Sequence, residues 1–166
     1  MLEIRRRKRN TDQLKLMAPT VALQVREVLA DLEAWGFRPR LQETYRTLAE
    51  QRQKFEQGLS RISGAGPHTL VEVVSPSYFV PASRATHVLD DDSPLDPSPK
   101  FLASLAISAA KHGLRSGVIF GLEGDHRTKV NSAINQGLFK ILAILLVRER
   151  GWDPNHIEDP NWKEHV

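Results

Sequence analysis

The sequence predicts an α+β fold, a small antiparallel sheet with packed helices. Three observations carry this. Two stretches repeat apolar residues at helical spacing between clear start and stop signals, at 19–36 and 98–113. Short β-branched runs fall between them at 69–74 and 84–89. The helices and strands mix without the regular βαβ alternation that marks a parallel sheet.

In chain order, residues 1–18 read as a basic flexible arm built around RRRKR at 5–9, and 19–166 as a single domain. Pro19-Thr20 opens a helix that places Val21, Val25, Val28, Leu29, Leu32 and Trp35 on one face, with Gly36 as its stop. RPRLQETYR at 38–46 suits a short strand. Thr47-Leu48-Ala49-Glu50 is a capping-box pattern that starts a helix running to about Gly58. GAGP at 64–67 is a loop and TLVEVV at 69–74 a strand. The Pro-, Ser- and Asp-rich segment 75–99 contains a further short strand, RATHVL, at 84–89. Ser98-Pro99 then starts a helix that buries Phe101, Leu102, Leu105, Ala106 and Ala109 and stops at Gly113. SGVIFGL at 116–122 reads as a strand. Residues 127–149 read as helical, although KILAILLV also has strand character.

Composition bounds the function classes. The 166 residues are 40% hydrophobic and 26% charged, which suits a globular chain rather than a disordered one. The absence of cysteine excludes disulfides, thiolate metal sites and cysteine nucleophiles. The net charge is +3, and without RRRKR the balance turns slightly negative. Such an arm suits nucleic acid, an anionic membrane or an acidic polymer, but no nucleic-acid recognition motif accompanies it. ILAILLV at 141–147 is too short to span a bilayer, and no signal peptide is visible. The expectation is a soluble protein synthesised in the cytoplasm.

Of six histidines, His112 suits the last turn of a helix, His165 the frayed end and His126 a polar turn. His68, His87 and His156 differ, because each sits where a Gly/Pro-rich loop meets a possible strand. Three imidazoles suit zinc and leave a fourth position open. Asp153 precedes His156 by three residues, and Pro154 between them discourages a regular helix. The acidic run Asp90-Asp91-Asp92 is a separate candidate that reads as a solvated turn.

Four segments, in order, resemble the family of zinc D-Ala-D-Ala carboxypeptidases and L-Ala-D-Glu endopeptidases, which includes phage endolysins. YRTLAEQ at 45–51 resembles its strand-ending Arg-Thr and the Gln-containing helix that follows. SGAGPHT at 63–69 resembles the loop of the first zinc histidine, and PASRATHVLD at 81–90 the Ser-x-Ala-x-Asp segment of the middle ligand. KHGLRSGVIFGL with DPNHIE at 153–158 resembles the closing strand and the Asp-x-x-His-x-Glu signature. The resemblance implies a Hedgehog/DD-peptidase-like fold and zinc-dependent hydrolysis of a peptide bond in peptidoglycan stem peptides, with release to the cell wall. It makes His68, His87 and His156 the metal ligands and Asp153 the general base. Arg46 would bind a substrate carboxylate or carbonyl.

Two departures accompany the resemblance. The family's middle ligand is Asp, where this chain has His87. The gap from His68 to His87 is also longer than the family's compact pattern, so TLVEVVSPSYFV must form an inserted hairpin or loop. Glu72 is the alternative middle ligand, but its surroundings do not resemble Ser-x-Ala-x-Asp. It reads instead as a residue on the polar face of a half-buried strand. A catalytically decayed wall-peptide-binding module and a nucleic-acid-binding protein are the alternative functions.

Overall fold

A computed structural model describes residues 2–166, and its architecture is α+β. Four strands form an antiparallel sheet in the order β1-β4-β6-β5: β1 is Pro39–Gln42, β4 Ala85–Asp90, β5 Arg115–Ser116 and β6 His156–Glu158. A separate hairpin pairs β2 (Val71–Ser75) with β3 (Tyr78–Pro81). The segment between His68 and His87 thus forms a hairpin, one of the two forms expected of it. All five β2 residues are exposed, so the strand is not the half-buried one that alternation suggested.

Among the described residues, six helices accompany the sheet. They are α1 (Glu3–Leu14), α2 (Pro19–Ala34), α3 (Leu48–Glu56), α4 (Pro99–Lys111), α5 (Gly124–Asn135) and α6 (Phe139–Arg148). Helix α4 lies at the centre of the core, and every residue from Phe101 to Ala109 is buried. It packs on α2, α5, α6 and β5. The Ser98 side chain accepts from the Phe101 amide, with Pro99 at the first turn, as the sequence predicts. The sheet contributes Leu41, Val88 and Ile157, all fully buried, to the same core. Alternation along β4 and β6 therefore turns His87, His156 and Glu158 to the other face.

Three sequence expectations change. Residues 3–14 are not a flexible arm but a helix docked on β1, an edge strand whose outer backbone groups need partners. Arg6 donates to the Pro39 carbonyl at 2.7 Å and Arg9 to the Leu41 carbonyl at 3.0 Å. Asn10 donates to Pro39 O at 3.0 Å and accepts from the Leu41 amide at 2.8 Å. Arg6 is buried and also bonds Glu3 and Glu33. Part of the basic run therefore closes a sheet edge.

The strand expected at 116–122 is only two residues long. The Ser116 hydroxyl accepts from the Val118 amide and starts a single 3₁₀ turn, Gly117–Ile119. The carbonyls of Val118 and Phe120 then receive the amides of Gly151 and Trp152. The single helix expected over 127–149 is two, broken where Gly137 adopts φ 66°. Among the described residues, no helix is long and apolar enough to cross a membrane.

Asn10→Ala leaves the buried Leu41 amide without its acceptor. It should destabilise the protein by about 1–3 kcal/mol. Urea unfolding with an unchanged midpoint would show that α1 does not support the sheet edge.

Candidate metal centre

The register of β4 against β6 sets His87 directly opposite His156. Their rings, with that of His68, have centroids 5.1–5.3 Å apart. His68 arrives from the loop before the hairpin. That loop is stitched to two other connections: the Arg46 amide donates to the His68 carbonyl at 3.0 Å and the Arg84 amide to the Pro67 carbonyl at 2.7 Å. The three imidazoles offer ligand atoms that all lie within 4.8 Å of one another, a cluster able to bind a metal ion.

Hydrogen bonds on the outer sides of two rings fix their tautomers. The Thr44 carbonyl, 2.9 Å from His68 Nδ1, can only accept, so Nδ1 carries the proton and Nε2 keeps its lone pair. The Glu158 carboxylate, 2.9 Å from His156 Nε2, likewise places the proton there and leaves Nδ1 with a lone pair. These two bare nitrogens face each other at 3.4 Å, within the 3–4 Å expected of two ligands to one ion. Without a cation between them, two buried lone pairs at that distance repel unless one takes a proton. The donor set therefore fits a metal, and the outer hydrogen bonds are those that orient metal-binding imidazoles.

His87 completes the group differently. Its Nε2 lies 3.1 Å from both oxygens of Asp153, and its buried Nδ1 has no partner. Asp153 Oδ2 is also 3.5 Å from His156 Nδ1. The expected acid thus stands against two of the three imidazoles. Glu72 is exposed on β2, opposite Val80 in the hairpin, and is not part of the cluster. Nor does the acidic run join it: Asp90 accepts from the Arg38 amide, Asp91 from Arg40 and Asp92 from Arg38. His112 pairs with Asp31 beyond the end of α4, and His126 reaches the Glu149 carbonyl.

Burial holds His68 well below the ordinary imidazole range, with the neighbouring His156, His87 and Arg46 acting in the same direction. It also lowers His156, against the opposing pull of Glu158. Burial pushes Asp153 upward, but the hydrogen bond to His87 and the charges of His87, His156 and Arg46 prevail and keep it ionised. The same balance holds for Glu158, where His156 and Arg115 outweigh burial.

The cluster lies in a cleft of 610 Å³ also lined by Arg46, Arg61, Trp152 and Trp162. Arg46 is present, but its fork is already engaged. Nη1 donates to Gln51 at 3.0 Å and Nη2 to Glu43 at 2.8 Å, leaving the buried Nε without a partner. The sequence-predicted set omits Glu158 and Thr44. Glu158 had a signal, because period-two alternation in a strand puts it on the face of His156. Thr44 acts through its backbone and had none.

Two glycines permit this packing. A Cβ on Gly117 would lie 1.9 Å from the Asp153 carbonyl oxygen, and one on Gly151 would lie 2.0 Å from the Gly117 carbonyl oxygen. No family model, curated protein or solved structure matches the chain.

Gly117→Ala should displace the Asp153–His156 segment and weaken metal uptake, because the clash is with backbone rather than a movable side chain. Unchanged metal affinity by calorimetry would contradict the close packing. A second expectation concerns pH. In the metal-free protein His68 and His156 resist protonation, so below about pH 6.5 the unfolded chain binds more protons than the folded one. Stability should be full above that pH and decline as pH falls from about 6.5 toward 5, before the carboxylates titrate. A urea midpoint that rises over that range would contradict the buried neutral imidazoles.

Proposed function

We propose that the protein is a zinc-dependent peptidase acting on peptidoglycan stem peptides. The observation that carries the reading is the convergence of His68, His87 and His156 with Asp153 in one cleft. All-nitrogen coordination by three imidazoles suits zinc, and the described residues supply no thiolate that would favour a softer ion. The resemblance of the four segments supplies the substrate class.

His68, His87 and His156 would hold the ion. Bound zinc supplies a Lewis acid that polarises a carbonyl and makes a water molecule acidic. Asp153, ionised and half-buried, accepts the proton of the attacking water and returns it to the departing amine. The second proton of the water follows to the same nitrogen, so the products are a carboxylate and an ammonium group, and atoms and charge balance. Glu158 keeps the proton on His156 Nε2, and Arg115 steadies Glu158 with a charge-assisted bond at 3.0 Å. The buried, unpartnered Nε of Arg46 supports its role toward a substrate oxygen. A contact through two of its nitrogens requires release from Glu43 or Gln51.

Replacement of Asp by His87 leaves the three ligands without negative charge, so the ionised Asp153 and Glu158 supply the local balance. Nucleic acid is not favoured, because Arg6 and Arg9 bond the edge of β1.

The test combines metal content with hydrolysis of stem peptides. The purified protein should carry one zinc per chain; His87→Ala should lose it and Glu72→Gln should keep it. Asp153→Asn should retain zinc while hydrolysis falls about 10²–10⁴-fold. Asp153→Asn cleaving at the unmodified rate would remove Asp153 from the mechanism. A zinc-loaded protein that binds wall peptides without cutting them would be a binding module instead.

A further inference from the structure

The cleft is asymmetric in charge. Arg46, Lys54, Arg61, Arg115, Arg127 and Lys163 line it, against Glu43, Asp153 and Glu158. Three of these cations have carboxylate partners. Lys54 and Arg46 share Glu43, and Arg115 pairs with Glu158. Arg61 differs, because among the described residues no carboxylate accompanies it. Its guanidinium lies over the indole of Trp152, 4.7 Å from the ring centroid. Trp152 in turn packs on Phe120, whose ring is 5.4 Å from that of His156. A stack of side chains thus leads from the metal cluster to Arg61.

Stacking holds a guanidinium flat and leaves its N–H edge free, the geometry that receives a carboxylate in two parallel hydrogen bonds. The loop beneath Arg61 is also fixed. The Gln51 amide nitrogen donates to the Ser60 hydroxyl at 2.8 Å and to the Ile62 carbonyl at 2.6 Å, on either side of Arg61. The oxygen of the same amide accepts from Arg46. Only this orientation satisfies both ends, since a carbonyl cannot donate and a guanidinium cannot accept. Gln51 is buried, so one side chain sets the relative positions of Arg46 and the Arg61 loop.

We infer that Arg61, laid over Trp152, forms a second carboxylate-binding subsite, so that the cleft takes peptides bearing two carboxylates. This rests on the reading of the cleft as a peptide site. Arg46, released from Glu43 or Gln51, engages one carboxylate beside the histidine cluster, and Arg61 the other at the aromatic stack. Arg127 and Lys163, also without acidic partners among the described residues, add to the attraction.

The probes are acetyl-Ala-Glu, with two carboxylates, and acetyl-Ala-Gln, with one, titrated into the full-length metal-free protein by calorimetry so that no cleavage intervenes. Acetyl-Ala-Glu should bind about tenfold or more tightly, the value of a charge-assisted pair. Arg61→Gln should abolish that preference while its thermal melt, at an exposed position, stays unchanged. Arg61→Lys should recover only part, because it keeps the charge and loses the flat fork. Equal affinity for the two peptides, or no binding of either at millimolar concentration, would overturn the inference. So would displacement of acetyl-Ala-Glu by an equal concentration of inorganic phosphate, which would mark a general anion site. The two readings fail separately: a protein that takes up no zinc yet prefers acetyl-Ala-Glu through Arg61 refutes the peptidase alone. Zinc-dependent cleavage without the preference refutes the subsite alone.

Discussion

Everything at the centre depends on the register of β4 against β6. Because side chains alternate along a strand, a slip of one residue would bury His156 in the core and bring Ile157 to the surface. The apolar face prevents this. Thr86 lies opposite Ile157, with Val88 following on β4, and burial of that row fixes which residues face the cleft. The histidines are therefore positioned by what packs behind them. His68 is the exception, held by backbone hydrogen bonds from two neighbouring connections rather than by a strand. A cluster drawn from two strands and a loop gains rigidity from all three.

Electrostatics at the centre follow from the same burial. His68 and His156, removed from water, resist protonation, and their remaining protons are directed outward by Thr44 and Glu158. The result is a pair of lone pairs turned inward, an arrangement that is unfavourable empty and favourable around a cation. Asp153 stays ionised in spite of burial chiefly because of its hydrogen bond with His87, with Arg46 acting in the same direction.

Legibility in the sequence followed the physics of each element. Helices with local signals were plain: Ser98-Pro99 for α4 and the Thr47–Glu50 capping box for α3 both occur as read. The three histidines were legible because each stood where a Gly/Pro-rich loop meets a possible strand. What failed was decided by tertiary partners. The basic run looked like a solvated arm, since nothing local reveals that β1 is an edge needing donors. The strand at 116–122 looked continuous, since its apolar content says nothing of the Asp153 carbonyl pressed against Gly117. Gln51, with one amide end on Arg46 and the other on the Arg61 loop, was legible only as part of a helix.

The β2–β3 hairpin lies wholly between His68 and His87 in sequence, yet its ends are closed by a hydrogen bond from the Ala82 amide to the Leu70 carbonyl. The chain leaves the centre and returns to nearly the same place. The number of residues between these two histidines is therefore free to drift, as a surface loop drifts, without disturbing their geometry. A pattern that fixes this gap would pass over such a centre, whereas one that fixes only the flanking segments would find it. In this chain the excursion is an accessory that can be lengthened or trimmed, and the address of the site is written on either side of it.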